Sequence, residues 1–145
     1  MNKRLHTLLT VLAEIVVIVA IVAAIPKLLS WVLGTPYPLA TITSSSMWPA
    51  LKRGDMVLIR GCPEDRLESG MIIVYRSSQG DEMIIHRIEE IDGGEIVTRG
   101  DANAEADDPI AYADVVGVVA NVGKQPIRVP YVGNLTMVFK PAAVP

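Results

Sequence analysis

Three short segments carry the side chains that could do chemistry in this sequence. The first is a run of small hydroxyl residues, Thr43-Ser44-Ser45-Ser46, which leads into Met47-Trp48-Pro49. A serine at such a bend can present its Oγ as a nucleophile, while nearby backbone N–H groups bind the oxyanion that forms on an attacked carbonyl. Serine-rich loops without a catalytic role are common, so composition alone leaves both interpretations open.

The second segment contains His86, the only histidine after the apolar N-terminal region. In an alternating strand His86 shares one face with Ile84 and Ile88, which predicts an imidazole on the inner, apolar side. Such a histidine is either a general base or a core residue whose hydrogen bonds are satisfied. If a histidine acts in this part of the chain, it is His86.

The third segment is an acidic loop between Thr98 and Pro109. It could supply a carboxylate that holds one imidazole tautomer, or it could be a solvated surface loop. A calcium loop is another interpretation, because oxygen-bearing side chains alternate here, although the terminal bidentate glutamate of such loops is missing. The alternating residues are Asp101, Asn103, Glu105 and Asp107.

Short β-branched runs between turn residues must position these side chains, and they predict a mostly β domain. The predicted strands are 39–43, 55–60, 71–76, 83–91, 95–99 and 115–122. Glycine adopts positive φ angles at little cost, so Gly93-Gly94 predicts a tight hairpin between the fourth and fifth strands. Together these strands indicate an antiparallel, barrel-like sheet.

The N-terminal region has a different character. The run from Leu8 to Ile25 carries a single charge, Glu14. A helix over this run rises about 27 Å, close to the ~30 Å hydrocarbon core of a bilayer. The run is longer than the apolar core of a cleavable signal peptide and continues into Pro26-Lys27, which favours an uncleaved anchor.

The charges around the apolar run predict how it is oriented. Lys3 and Arg4 precede it and only Lys27 directly follows it. The positive-inside bias therefore places the N-terminus in the cytoplasm. On this basis we divide the chain into a cytoplasmic stub with a membrane anchor over 1–33 and an extracytoplasmic domain over 34–145.

Composition excludes several classes of function. The 145 residues are 50% hydrophobic and 20% charged, with a formal net charge of -3. This rules out a disordered chain and argues against nucleic acid as a partner. The single cysteine, Cys62, excludes an internal disulfide, a paired-cysteine zinc site and a redox motif.

In combination and in this order, the motifs resemble the type I signal peptidases of the endoplasmic-reticulum and archaeal type. The matching boxes are residues 44–49, 53–55, 85–87, 99–103 with Asp108, and 129–133. The resemblance covers nearly the whole chain. It implies a membrane-bound serine endopeptidase that removes N-terminal signal peptides from secreted preproteins after small residues, without a metal or cofactor.

The resemblance also implies roles for individual residues. Ser46 matches the nucleophile, and His86 stands where the bacterial branch has a lysine base. Ser44 matches a position whose hydroxyl helps to stabilise the oxyanion. Residues 39–43 and 83–85, Ile85 among them, are expected to line shallow apolar substrate pockets together with Met47.

Two acidic positions of the family have counterparts here. Asp101 matches the first, and either Asp107 or Asp108 matches the second, because the loop departs by about one residue from the usual spacing. We choose Asp108 as the triad member, since its spacing to Tyr112 fits the continuation of the family pattern.

The implied partners are signal peptides, membrane lipid and subunits of a secretion complex. The implied location is a single-pass protein of the cell membrane or an endoplasmic-reticulum-type membrane. The apolar run at 135–141 is too short to span a bilayer and is predicted to be an interfacial tail. A self-cleaving repressor peptidase fits poorly, because such proteins use lysine and a DNA-binding module. The alternative is a catalytically inactive, membrane-anchored β module that binds secretion partners or calcium.

Overall fold

The computed structural model describes residues 3–78, 80, 82–123 and 125–133. Over these residues the chain forms one long helix, α1 (Lys3–Leu33), then short strands and two 3-10 turns, Glu64–Arg66 and Tyr112–Asp114. The strands are β1 (Leu39–Thr41), β2 (Met56–Arg60), β3 (Ile72–Arg76), β4 (Met83–Asp92), β5 (Glu95–Arg99), β6 (Ile110–Ala111), β7 (Val115–Val119), β8 (Asn121–Val122), β9 (Gln125–Pro126) and β10 (Arg128–Val129). The expected tail at 135–141 lies outside the described residues.

Helix α1 is apolar around its whole circumference, and none of its residues is buried. Its 31 residues rise about 46 Å, which exceeds the ~30 Å hydrocarbon core. Within the described ranges it is the one helix long and apolar enough to cross a membrane. A helix that is hydrophobic on all sides and buries none of its side chains fits a membrane span.

Eight strands form one sheet in the order β1-β2-β7-β3-β4-β5-β6, with β10 also paired to β2, and β8 pairs with β9 separately. Every one of these pairings is antiparallel. The prediction of a mostly antiparallel β-sheet with a single N-terminal apolar helix is confirmed.

All six predicted strand regions contain strands, with two notable details. The region 115–122 is divided into β7 and β8 at Ala120, whose N–H donates to Leu58 O over 2.8 Å. The predicted hairpin is present, with φ angles of 56° and 91° at Gly93 and Gly94. Strands β6, β9 and β10 are too short to produce a periodic pattern, so the sequence does not predict them.

Strand β3 divides the core, because it is buried on both faces. Ile72 and Val74 pack into one cluster, and Ile73 and Tyr75 pack into the other. A strand covered on both faces is apolar throughout, which explains the uninterrupted run in β3. The first cluster also contains Ile42, Met47, Leu51, Val57, Ile59 and Val119. The second also contains Cys62, Leu67, Ile88, Ile96, Ile110 and Val118.

One side of β4 is open along its first half. β4 pairs with β3 from Met83 onward, whereas its pairing with β5 begins only at Arg87. Between Met83 and His86 the edge remote from β3 therefore has no strand partner among the described strands. The loop after β1 and the acidic loop after β5 both reach this edge, where Ser46 and Asp107 contact His86.

The end of α1 is bound directly to the sheet. Gly61 N–H donates to Leu33 O over 2.7 Å, and the Thr35 hydroxyl donates to Val116 O over 3.1 Å. A Cβ on Gly61 would collide with the carbonyl of Gly34, so the two backbones approach as closely as glycine allows.

Candidate active site

The loop after β1 holds Ser46 at the start of a tight turn. Trp48 N–H donates to Ser45 O over 3.1 Å, and Leu51 N–H donates to Met47 O over 2.9 Å. The side chains of Met47 and Leu51 are buried in the first core cluster. Ser46 is therefore half-buried at the surface of a loop that is fixed from beneath.

Ser46 meets His86 at the open edge of β4. The distance from Ser46 Oγ to His86 Nε2 is 3.1 Å. His86 is buried, and its cross-strand partner is Ile73 of the second core cluster. With its proton on Nδ1, the neutral ring can accept the Ser46 proton at Nε2. This is the relation that a nucleophile and its general base require.

A carboxylate from the acidic loop contacts the other ring nitrogen. Oδ2 of Asp107 lies 2.6 Å from His86 Nδ1, so it accepts the Nδ1–H and leaves the Nε2 lone pair directed at Ser46. Burial alone would raise the pKa of the Asp107 carboxyl, but hydrogen bonds from Thr98 and His86 outweigh it and lower the pKa. Asp107 is therefore ionised at neutral pH.

Two further hydroxyl groups reach the same carboxylate oxygen. Thr98 Oγ1 donates to Asp107 Oδ2 over 2.6 Å, and Tyr75 Oη donates to it over 3.0 Å. Both side chains are almost completely buried. Burial, helped by the negative charge of Asp107, raises the pKa of Tyr75 to about 12. The phenol thus remains a donor throughout the neutral range.

Ser44 supplies a hydroxyl beside Ser46. Its Oγ lies 3.0 Å from Ser46 Oγ and accepts a hydrogen bond from the Ser46 N–H over 3.5 Å. The Ser44 hydroxyl and the Ser46 N–H are close enough to donate together to one carbonyl oxygen. Such a pair of donors is what an oxyanion hole needs.

A turn at residues 100–103 supports the serine from behind. Ala102 N–H donates to Ser46 O over 2.7 Å, and Asn103 N–H closes the turn by donating to Gly100 O over 2.9 Å. A Cβ on Gly100 would lie 2.8 Å from Ser46 O and 2.8 Å from Asn103 Nδ2. The close approach of this turn to the serine loop therefore depends on glycine.

Asp101 links the same turn to β4. Arg87 Nε and Nη2 each donate to a different carboxylate oxygen of Asp101 over 2.7 Å. The hydrogen bond to Asp101 raises the pKa of the Arg87 guanidinium. Arg87 follows His86 directly, so this bidentate pair connects the turn that supports Ser46 with the strand that carries His86.

A cleft of about 250 Å³ opens beside the serine and the histidine. Its walls are the loop after β1 and the first half of β4. It is lined by Thr41, Ile42, Thr43, Ser44, Ser46, Met47, Glu82, Met83, Ile84, Ile85 and His86. Met47 and Ile85 thus both lie where a substrate pocket was predicted. A larger cavity of about 520 Å³ lies where α1 meets the sheet, away from these side chains.

Known proteins share this sequence pattern. The Peptidase S24-like family matches residues 13–122. The signal peptidase complex catalytic subunits SEC11C of Homo sapiens and Mus musculus are each 33% identical over 114 residues, covering 73% of this chain and 59% of the relative. The signal peptidase complex catalytic subunit sec11 of Pyrenophora tritici-repentis is 33% identical over 128 residues, covering 78% of this chain and 69% of the relative. The chain belongs to the signal peptidase family.

This signal peptidase family member spans less than two thirds of the length of the SEC11C subunits.

The structure also corrects one assignment in its acidic loop, because Asp107 and not Asp108 lies against His86. Asp107 N–H donates to Thr98 O over 2.8 Å, which aligns the loop with β5 and turns the Asp107 side chain inward. Asp108 is exposed.

The carboxylates of the acidic loop have separate partners. Asp101 lies against Arg87, and Asp107 lies against His86. Over the described part of the chain no group of three or more His, Cys, Asp or Glu side chains is arranged to hold a metal ion. The alternating side chains therefore do not converge as calcium ligands would.

Thr98 and Tyr75 were not predicted from the sequence as site residues. Both stand at inward positions of apolar strands, two residues after Ile96 and Ile73 respectively. A hydroxyl group at a buried position must find a hydrogen-bond partner. That rule, applied to the predicted inner faces, could have identified both residues as neighbours of a polar site.

Proposed function

We propose that this chain is a membrane-bound serine endopeptidase that cleaves N-terminal signal peptides from secreted preproteins after small residues. The observation that carries the proposal is the chain of contacts from Ser46 Oγ through His86 to Asp107, at 3.1 and 2.6 Å, beside an open cleft. Membership of the signal peptidase family supports the peptidase activity. The names of the relatives, catalytic subunits of the signal peptidase complex, support signal peptides as the substrate.

The reaction begins when Ser46 Oγ attacks the scissile carbonyl carbon and His86 Nε2 takes the serine proton. Asp107 holds the Nδ1–H and stabilises the imidazolium that forms. The carbonyl oxygen becomes an oxyanion that accepts hydrogen bonds from the Ser44 hydroxyl and the Ser46 N–H. The C–N bond then breaks as His86 gives its proton to the leaving amine. Water attacks the acyl-enzyme by the same proton transfers and releases the acid product.

The cleft fits an extended peptide. Among the described strands, none pairs with the outer edge of the first half of β4, so a substrate can add there as a strand. The scissile carbonyl of the substrate would then lie beside Ser46, and the substrate side chains before the cleavage site would face the apolar wall of the cleft. Met47 and Ile85 contribute to that wall. We assign the preference for small side chains to the limited depth of this cleft.

We further propose that α1 crosses the membrane once, with the N-terminus in the cytoplasm and the peptidase domain, residues 34–145, outside. Support comes from the length and apolar surface of α1 and from the basic residues before the apolar run. Membrane lipid and subunits of a secretion complex are then the partners besides the signal peptide itself.

Cleavage of a preprotein by the full chain in lipid nanodiscs tests the proposal. We expect Ser46→Ala and His86→Ala each to reduce kcat at least ~10³-fold, because each removes a member of one proton-transfer unit. Ser45→Ala is the matched control, since Ser45 is exposed and should remain fully active. Equal cleavage by wild type and Ser46→Ala would refute the mechanism. A wild-type protein that binds preproteins without cutting them would instead be the inactive β module.

A further inference from the structure

Three donors from three neighbouring strands converge on one carboxylate oxygen. Tyr75 comes from β3, His86 from β4 and Thr98 from β5, and each lies within 3.0 Å of Asp107 Oδ2. The donors are fixed by strand pairing, because Tyr75 lies opposite Ile84 and Thr98 opposite Ile88. The acceptor, in contrast, belongs to a loop.

Besides Asp107, the two hydroxyl groups reach each other, since Thr98 Oγ1 lies 3.2 Å from Tyr75 Oη. Thr98 is 0% exposed and Tyr75 is 2% exposed. Tyr75 belongs to the second core cluster, and Thr98 lies opposite Ile88 of that cluster. The Asp107 side chain, by comparison, is 23% exposed. A loop carboxylate with this access to water can rotate, unless donors on rigid elements hold it. Tyr75 and Thr98 provide such donors.

We propose that Tyr75 and Thr98 are positioning residues for peptide cleavage, which act through Asp107 to orient its carboxylate and to limit how firmly His86 retains a proton. The inference rests on the proposed function and extends it to two residues outside the triad. Each hydroxyl that donates to Oδ2 takes a share of its negative charge. Less charge remains to stabilise the imidazolium, so the ring passes its proton to the leaving amine more readily.

The other charged groups near the pair are few. Tyr75 from β3 and His86 from β4 are the titratable groups that contact Asp107. Strand β5 contributes only the uncharged Thr98, and the loop adds Asp108, the next residue along the chain. The two hydroxyl groups are therefore the neighbours that set the orientation and the charge of the Asp107 carboxylate beside His86.

The test uses conservative variants of the full chain in nanodiscs. We expect Thr98→Val to lower kcat about 10- to 100-fold and Tyr75→Phe about 3- to 10-fold, with KM unchanged, since each loses one hydrogen bond to a charged group. Thr98→Ser should restore most of the activity. Matched controls are Thr35→Val and Tyr112→Phe, because each removes a hydroxyl that donates to a backbone carbonyl outside the site.

The pH profile separates positioning from a general loss of structure. In Thr98→Val the acid limb of kcat/KM should move to higher pH, because the freed charge on Oδ2 strengthens its hold on the protonated ring. The control variants should lose thermal stability without moving that limb. The proposal is wrong if Thr98→Val and Tyr75→Phe lose only as much activity as their controls and keep the wild-type pH profile.

A second measurement does not depend on activity. The His86 Nδ1 proton, observed by NMR in the Ser46→Ala background, should exchange with solvent faster in Thr98→Val than in Thr35→Val. Unchanged exchange would overturn the positioning role even if the chain is a peptidase. Faster exchange would support the role even if no preprotein is cleaved, so the two proposals can fail separately.

Discussion

One backbone hydrogen bond determines which aspartate of the acidic loop lies against His86. Asp107 and Asp108 are the same residue type, and neither composition nor spacing indicates which side chain turns inward. The bond from Asp107 N–H to Thr98 O settles the matter, because it sets the register of the loop against β5. For Ser46 and His86, a bend and strand alternation marked only candidates, and the resemblance to the family singled them out.

Neutralising each aspartate in turn tests this register. We expect Asp107→Asn to lower kcat about 10³- to 10⁴-fold, since an amide cannot stabilise the imidazolium and favours the wrong ring tautomer. Asp108→Asn is the matched control and should stay within about twofold of wild type, because its side chain is exposed. Cleavage of a signal-peptide substrate under single-turnover conditions measures both. The opposite ranking would restore Asp108 as the triad member.

At the scale of elements, six strand regions followed from β-branched runs between turn residues, but the supports between the strands did not. Asp55 is an example, because its buried carboxylate accepts Lys52 N–H over 3.0 Å and Arg128 Nη1 over 2.7 Å. These contacts close the segment between β1 and β2 and join it to β10. Partners that are 73 residues apart leave no local signal, so the sequence alone indicates only a turn there.

The turn at residues 100–103 gives a prediction at this scale. Gly100→Ala should lower kcat about 10- to 100-fold, because the new methyl group must displace Ser46 O or the Asn103 side chain. Gly80→Ala is a suitable control, since a Cβ there meets nothing within 4 Å. Peptide cleavage and thermal unfolding are compared for both variants. A fully active Gly100→Ala protein would show that the serine loop does not rely on this turn.

At the scale of the whole molecule, the sequence revealed two unlike parts, an apolar helix and a β domain. It did not reveal how closely they join, because contacts such as Gly61 N–H to Leu33 O depend on tertiary packing. The same distinction holds for the core. The apolar run of β3 was visible, whereas its role as a divider between two clusters depends on tertiary packing.

The site also contributes to the pH dependence of stability. The pKa of Asp107 is lowered in the folded state, from an ordinary value near ~3.9. Its hydrogen bonds therefore stabilise the fold above that value, and the stabilisation is lost as the pH falls through the lowered pKa. Tm should thus be higher for wild type than for Asp107→Asn at pH 6, and the gap should shrink below about pH 4. Asp108→Asn provides the baseline, and a gap that grows under acid would contradict this linkage.

The direct junction between α1 and the sheet has a consequence for where a substrate is cut. The hydrogen bond from Gly61 N–H to Leu33 O, and not a slack tether, holds the end of the apolar helix at a set distance from Ser46. On the proposed function, this set distance limits which peptide bond of a substrate can reach Ser46. A preprotein held in the same bilayer presents to Ser46 only the bond at a matching height, so the fold would select the cleavage position by distance as well as by side-chain size.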